Sequence, residues 1–397
     1  MTNGDSCLQK RVRIVIAGGD SWYSRGDDAI LAGTLKMLRE KYADNLEVTV
    51  LTEIPLVTKS RFPQVNAIYR KNFLAVAKEM RNADLLLWGG GQLIQNISSQ
   101  VFMIFQLSIL AIAHLLHLPI MGFGLGVAEL KGRFWQKLVA FWINRLAQIT
   151  VRDERSRADL AAWGGKKHIR VTADPALVLE PQSEELQNKK NKKRVVISPR
   201  TWFHYSYSFF PDKNSRLSAL TSHKLNHLLT TLAKVADWCV STHDADIYFV
   251  PMYPGKDQGD EQVSMAIIQK MESADRAKIL SQNILPQELV DFFQSVDVVL
   301  SMRLHAAILA ACGGAPSVMV YTQIKGLSFL ERLGIAKHAY PVDKYNFEDI
   351  CKSMEEILAS PDTYRSQVLA QMCELRNLAY QNIDVLSGII DERQIDN

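Results

Sequence analysis

An arginine and a histidine, separated by one residue, follow a short apolar segment in the second half of the chain. The segment at residues 296–300 is typical of a buried parallel strand, and Arg303, Leu304 and His305 come soon after it. Small residues from 306 to 312 predict a helix that begins here. Because the carboxyl edge of a parallel sheet binds ligands and a helix N-terminus favours anions, these residues predict an anion site. The imidazole adds a group that can transfer a proton.

Glycine-rich segments follow three predicted strands in the first half of the chain. Glycine lets the backbone approach a ligand closely, so we expect these segments to line one edge of a first sheet. Asp27 is interpreted either as a helix cap or as a ligand contact. The sequence contains neither Gly-x-Gly-x-x-Gly nor a Walker A loop, so NAD and P-loop nucleotide chemistry are not indicated. The candidate residues here are Gly18, Gly19, Asp27, Gly89, Gly90, Gly91, Gln92 and Gly124.

Two further arginines follow predicted strands. Arg200 ends the strand predicted at residues 195–198, in a position equivalent to that of Arg303. Arg152 follows the strand predicted at residues 149–151 and is interpreted as a ligand contact or as a structural ion-pair partner. A Gly-x-Ser-x-Gly elbow and a His-Glu-x-x-His motif are both absent from the sequence. We therefore expect a site that uses neither a hydrolase triad nor a metal ion, and no cofactor.

Short apolar segments alternate with helical patterns along the whole chain. This alternation is typical of βα units and parallel sheets. It predicts an α/β protein with two Rossmann-like domains that face each other across a cleft, residues 1–186 and residues 187–397, the second ending in a helical tail. The polar, basic segment at residues 187–194 is interpreted as a linker or an exposed loop.

The bulk composition excludes several classes of protein. The 397 residues are 47% hydrophobic and carry a net charge of +4, so neither disorder nor nucleic-acid binding is indicated. The five cysteines are scattered, and the first residues are polar, so we expect reduced thiols and a cytoplasmic location. Residues 101–118 are strongly apolar and predict a buried or amphipathic helix. A helix facing the inner surface of the plasma membrane stays open as an alternative.

The order of these motifs resembles the polysaccharide pyruvyl transferase family. The resemblance spans roughly Ile14 to Gly334. The matching segments are residues 26–30, 88–91, 122–126, 152–156, 174–176, the Ser-Met-Arg-Leu-His signature at 301–305, and 316–321 together with Lys325. One departure concerns Gln95, which stands where many members of the family carry an acidic residue.

The resemblance implies a fold similar to GT-B glycosyltransferases and a reaction with phosphoenolpyruvate as co-substrate. In such a reaction the enolpyruvyl carbons form a cyclic ketal on two sugar hydroxyls, and phosphate is released. It implies that Arg303, Leu304 and Arg200 bind the donor. Because ketal formation needs one proton delivered to the methylene carbon and another taken from the attacking hydroxyl, we assign His305 as the general acid or base. The acceptor would be a sugar of a cell-surface polysaccharide or exopolysaccharide, or its lipid-linked precursor, bound on the side of the first domain.

Two alternatives stay open on the sequence. A GT-B glycosyltransferase would have the same fold and could use the arginines to bind the diphosphate of a nucleotide sugar. The second alternative is a non-catalytic sugar-binding protein with this fold. The aromatic group at residues 202–210 is interpreted as an acceptor platform, as a loop packed into the core or as a membrane contact.

Overall fold

The computed structural model describes residues 11–18, 24–96, 99–182, 192–201, 219–253, 259–281 and 283–395. Three features named above lie outside the described residues. They are Gly19, the aromatic group at residues 202–210, and residues 187–191 of the basic segment.

The first domain is a seven-stranded parallel sheet flanked by helices. Its strands are β1 (Val12–Ala17), β2 (Leu46–Thr52), β3 (Asn66–Tyr69), β4 (Leu85–Ile94), β5 (Ile120–Val127), β6 (Gln148–Val151) and β7 (Ile169–Val171). Its helices are α1 (Arg25–Tyr42), α2 (Pro55–Arg61), α3 (Phe73–Arg81), α4 (Gln100–Leu115), α5 (Arg133–Ile143) and α6 (Glu154–Ala162). The strand order β3-β2-β1-β4-β5-β6-β7 reverses between β1 and β4, which opens a crevice at their carboxyl ends.

The second domain repeats this plan with six parallel strands. They are β8 (Arg194–Ser198), β9 (Asp246–Phe249), β10 (Ala277–Ile279), β11 (Val298–Ser301), β12 (Ser317–Tyr321) and β13 (Ala339–Pro341). The helices are α7 (Ala219–His243), α8 (Asp260–Ile268), α9 (Pro286–Phe293), α10 (Leu304–Cys312), α11 (Lys325–Arg332), α12 (Phe347–Ala359) and α13 (Pro361–Ile395). The order β10-β9-β8-β11-β12-β13 reverses between β8 and β11. Arg200 and Arg303 therefore follow the two strands that flank the second crevice, and the prediction of two Rossmann-like domains is confirmed.

Two of the three glycine-rich segments do not end their strands, so the prediction of strand ends was wrong for them. β4 continues through Gly89, Gly90 and Gly91 to Ile94, and β5 continues through Gly124 to Val127. Gly90, Gly91 and Gly124 have φ values of 77°, 148° and 54°, which glycine adopts without steric cost. The pairing of β4 with β5 continues past these residues with one irregularity in register.

The interpretation of Asp27 as a helix cap was wrong. α1 begins at Arg25, and Ser24 is its N-cap, with the Ser24 hydroxyl accepting from the Asp27 backbone N–H at 3.4 Å. Asp27 and Asp28 occupy the first turn of the helix, where negative charge is stabilised by the helix dipole.

The helical tail of the chain packs against the first sheet. α13 lies against β5, β6 and the 3-10 turn Pro175–Val178. Asn382 is fully buried there, and its Oδ1 accepts from the hydroxyls of Thr150 at 2.5 Å and Thr172 at 2.8 Å. Its Nδ2 donates to the carbonyls of Ala173 and Ala379. The last helix therefore joins the two domains through polar groups that are removed from water.

We expect Asn382→Ala to lower the free energy of unfolding by about 2–4 kcal/mol, because it leaves buried hydroxyl and carbonyl groups without a partner. Urea denaturation followed by circular dichroism measures the change. Asn377→Ala is the matched control, since Asn377 is exposed on the same helix. Equal midpoints for the two variants would contradict this role of Asn382.

Candidate active site

The signature residues line a small pocket at the carboxyl edge of the second sheet, where it meets the start of α1. The pocket has a volume of about 90 Å³. Its lining comes from the segments that follow β8, β11 and β12, and from the first turn of α1. The polar and charged residues around it are Ser24, Arg200, Arg303, His305, Thr322, Gln323 and Lys325.

Arg303 is held in place by a carboxylate that the sequence did not single out. Its Nε and a terminal nitrogen donate to the two oxygens of Asp260, at 2.9 and 2.5 Å. The side chain of Asp260 is fully buried, and it also accepts from the backbone N–H groups of Met252 and Tyr253. Because both carboxylate oxygens are engaged, the guanidinium is fixed at the pocket wall with about a fifth of its surface exposed.

His305 meets an acidic residue of the first domain. Its Nε2 lies 3.6 Å from Oδ2 of Asp174, which is an electrostatic contact longer than a hydrogen bond. The same oxygen accepts from Arg152 at 2.9 Å, and the other accepts from the Ala176 backbone N–H at 3.1 Å. Burial by itself would raise the pKa of Asp174, but His305, Arg152 and the Ala176 N–H together hold it well below its usual range. A fixed negative charge therefore stands beside the imidazole.

Gly26 makes room for the imidazole. A Cβ atom on Gly26 would lie 2.3 Å from Nδ1 of His305, which is closer than any real contact. The start of α1 in the first domain therefore fits against the signature of the second domain only because residue 26 lacks a side chain. The sequence shows Gly26, but its partner His305 is far away along the chain, so the sequence does not show that the two residues meet.

Lys325 joins the two domains at the opposite wall of the pocket. Its Nζ donates to Oε1 of Gln92, which belongs to β4, at 2.5 Å. Desolvation lowers the pKa of Lys325 well below its usual value, and the nearby guanidinium groups of Arg152, Arg200 and Arg303 lower it further. The cluster of positive charge is thus poised to accept an anion, which would relieve the repulsion.

Arg200 lies on the same pocket and donates to the Thr322 hydroxyl at 3.3 Å. Arg152 has a different role. It is almost completely buried, its main partner is Asp174, and its guanidinium packs over Gly126. Arg152 also lines a neighbouring pocket of about 220 Å³ that shares Leu304, Gln323 and Lys325 with the small pocket. The structure shows the ion pair of Arg152, and its contact with a ligand stays a prediction.

A larger cleft of about 470 Å³ opens on the first domain beside this pocket. Gly18, Asp27, Gly91, Gln92 and Gln95 line it. It continues to Ser24, which also lines the small pocket, so the two spaces adjoin.

Two of the candidate glycines, Gly89 and Gly124, pack closely against neighbouring elements. A Cβ on Gly89 would lie 2.0 Å from the Phe123 carbonyl oxygen, and one on Gly124 would contact the ring of Pro175. Gly90 lies on a small cavity between the strands and α1. Gly89 and Gly124 therefore allow neighbouring elements to approach closely, and none of the three lines the large cleft.

Within the described residues, no group of three or more His, Cys, Asp or Glu side chains could hold a metal ion. In the same part of the chain, no helix is both long and apolar enough to cross a membrane.

A sequence profile of the polysaccharide pyruvyl transferase family matches residues 25–323. The chain belongs to this family. The matched region contains α1 and the signature, and it therefore covers most of both domains of the transferase. No curated protein matches the chain.

Solved structures similar to this transferase share its architecture. UDP-GlcNAc 2-epimerase from Neisseria meningitidis, bound to UDP-GlcNAc, is 10% identical, with a TM-score of 0.59 over 95% of this chain and 100% of that chain. S. aureus MnaA in complex with UDP is 12% identical, with a TM-score of 0.58 over 91% of both chains. A ugt transferase from Siraitia grosvenorii in complex with UDP is 13% identical, with a TM-score of 0.53 over 96% and 99%. At such identities the likeness shows the fold, which is of the GT-B type.

Sequence reasoning missed two carboxylates of the transferase site. Asp174 appeared only within the matching segment at residues 174–176, and the structure places its carboxylate 3.6 Å from His305. Asp260 begins α8, far along the chain from Arg303, and no motif marks it. Both act through contacts between distant segments, which a single sequence does not display.

We expect Gly26→Ala to displace the His305 ring and to lower the free energy of unfolding by about 1–3 kcal/mol, because the added methyl group overlaps the imidazole. The His305 imidazole signals in a ¹H–¹⁵N spectrum, assigned with His305→Gln, report the displacement, and thermal unfolding reports the stability. Gly388→Ala is the control, since a Cβ there meets no atom within 4 Å. Unchanged His305 signals in Gly26→Ala would refute the packing argument.

Proposed function

We propose that this transferase uses phosphoenolpyruvate as its donor and converts two hydroxyls of a saccharide into a cyclic pyruvate ketal. The observation that carries the proposal is the convergence of Arg200, Arg303, Lys325 and His305 on one small pocket. Membership of the family supports the class of reaction. The charge of the pocket supports the choice of donor.

The donor carries a phosphate and a carboxylate, and the pocket offers a separate cation for each. Arg303 is fixed by Asp260, so it presents a pre-oriented guanidinium to an anion. Arg200 and Lys325 provide positive charge from the segments after β8 and β12. A bound trianion offsets the mutual repulsion of these cations, which would make its binding favourable.

Ketal formation requires two kinds of proton movement. The methylene carbon of the donor gains a proton and becomes a methyl group, while the two attacking hydroxyls each lose one. The first hydroxyl adds to the central carbon, and the second displaces phosphate from it. One of the two released protons is balanced by the proton on the methyl group, and the other leaves with the phosphate as hydrogen phosphate. His305 is the pocket group that can both give and take a proton, and the ionised carboxylate of Asp174 lies beside its ring.

We propose that the acceptor saccharide binds in the large cleft of the first domain. This cleft adjoins the donor pocket at Ser24, so a sugar hydroxyl there can approach the donor. Its polar side chains include Asp27, Arg70 and Gln95, and Phe105 and Tyr253 add aromatic surface, to which sugar rings bind well. The amide of Gln95 can hydrogen-bond a sugar hydroxyl in place of the acid that many relatives carry at this position.

Calorimetric titration tests the donor. We expect phosphoenolpyruvate to bind, and Arg200→Gln to weaken binding by about ten- to a hundredfold, because a charge-assisted hydrogen bond is lost. Arg39→Gln, at an exposed position near the end of α1, is the control and should leave the affinity unchanged. Binding of UDP-GlcNAc but not of phosphoenolpyruvate would contradict the proposal and favour a nucleotide-sugar glycosyltransferase.

Donor binding should also be accompanied by proton uptake at Lys325. In the free protein the pKa of Lys325 is lowered from its usual 10.5. At pH values between the lowered pKa and 10.5, the amine of the free protein is therefore mostly neutral. An anion raises the pKa again, and the amine then gains a proton. We therefore expect proton uptake on binding and an affinity that falls as the pH rises through this window.

Titrations in buffers of different ionisation enthalpy measure the number of protons taken up. Lys325→Met should abolish the uptake, whereas Lys344→Met, at an exposed position, should not change it. The same uptake in wild type and Lys325→Met would assign the proton to another group.

A further inference from the structure

Three helices of the first domain form one continuous outer surface, which we call the α3–α5 face. All three pack on the same side of the first sheet, through core residues such as Val76, Met103 and Val139. The Phe73 ring of α3 lies 6.3 Å from that of Phe105 in α4. α5 joins α4 at both ends, since Trp135 donates to Gln100 and the rings of His114 and Trp142 meet edge to face.

The α3–α5 face exposes large apolar side chains from all three helices. They are Phe73, Leu74, Val101, Ile104, Leu115, Phe134 and Phe141. Leu74 is 87% exposed and Phe134 is 69% exposed, which is unusual for side chains of this size. Single exposed apolar residues need no explanation, but a set that spans three adjoining helices indicates an interaction surface.

α4 is the centre of this surface and carries no charged residue in its 16 positions. Its exposed apolar residues Val101, Ile104 and Leu115 follow helical spacing along one side. An outer helix of a water-exposed domain normally presents charged side chains on that side, because they are well hydrated. The uncharged outer side of α4 therefore favours a partner that offers an apolar environment to these side chains.

Positive charge surrounds the apolar residues. Exposed cations lie on or beside the three helices at Lys78, Arg81, Arg133, Lys137 and Arg145. Lys71 and Lys131, at the margin, form ion pairs with Glu53 and Glu129 and add little net charge. Within the helices themselves the acidic residue is Glu79, which is only partly exposed and lies near the Thr49 hydroxyl. The guanidinium of Arg145 stacks on the ring of Phe141, 3.3 Å from its centroid, so one cation and one apolar group project together.

We propose that the α3–α5 face docks on the surface of an anionic lipid membrane. Apolar side chains would enter the boundary between headgroups and acyl chains, and the cations would contact anionic headgroups. The opposite edge of α4 lines the large cleft through Phe102, Phe105 and Gln106. Docking therefore brings the cleft beside the lipid, where a lipid-carried saccharide can enter it. The docking goes beyond the proposed reaction and does not depend on it.

Sedimentation with lipid vesicles tests the docking of the full chain. We expect the chain to bind vesicles of phosphatidylcholine with one-third phosphatidylglycerol. Its affinity for vesicles of phosphatidylcholine alone should be lower by a factor of about ten or more. The triple variant Leu74→Ser, Ile104→Ser, Phe134→Ser should reduce the binding to anionic vesicles at least about tenfold. The matched control is Leu56→Ser, Met265→Ser, Leu369→Ser, which removes three exposed apolar residues elsewhere and should bind as wild type does.

A second pair of variants tests the charge. Lys78→Gln, Lys137→Gln, Arg145→Gln should weaken binding to the anionic vesicles at least about tenfold, whereas Lys270→Gln, Lys278→Gln, Lys352→Gln, at exposed positions outside the face, should not. Raising the salt concentration should weaken wild-type binding, since the attraction to the headgroups is screened.

Three results would overturn the proposal. They are failure of wild type to bind the anionic vesicles at low salt, equal binding by the face variant and its control, and a wild-type dimer that the face variant converts to a monomer. The last result would assign the surface to a second copy of the chain. Phosphoenolpyruvate binding measured on the same variants should equal that of wild type, so a failure of docking is distinguishable from a failure of the proposed donor.

Discussion

The contact between His305 and Asp174 depends on both domains being in place. His305 lies in the first turn of α10, after β11 of the second sheet, and Asp174 follows β7 in the first. The imidazole fits between Asp174 and the first turn of α1 because Gly26 leaves the space empty. Neither domain alone contains both members of the pair. The relative position of the two sheets is therefore a condition for the chemistry that we propose.

Electrostatics organise the site into two layers. Buried carboxylates lie behind the pocket, where Asp260 holds Arg303, and Asp174 holds Arg152 and faces His305. The cations line the pocket in front of these carboxylates. Desolvation lowers the pKa of Lys325, and repulsion by the neighbouring guanidinium groups lowers it further. The back layer fixes the geometry because each carboxylate oxygen is engaged. The front layer keeps an excess of positive charge for an anion, and a ligand with two anionic groups complements it.

The fold could be predicted almost completely, because alternation of buried strands and amphipathic helices is a local signal. The strands predicted at residues 149–151 and 195–198 differ from β6 and β8 by one residue at the start. The short strands β3 and β13 give a weaker signal, since their few residues are only partly buried. The glycine segments were harder. Gly89 and Gly124 permit close packing with Phe123 and Pro175, which the sequence alone shows only as flexibility.

The sequence by itself determined the signature, the two parallel sheets and the strand ends that carry Arg200 and Arg303, since each is encoded in a contiguous segment. Only the tertiary structure decided which carboxylates serve these cations, because Asp174 and Asp260 reach them across the interface or across the sheet. It also decided that Arg152 is an internal ion-pair partner and that α4 faces outward with its uncharged side. Burial and ion pairing depend on distances between remote segments, and those distances exist only in the folded chain.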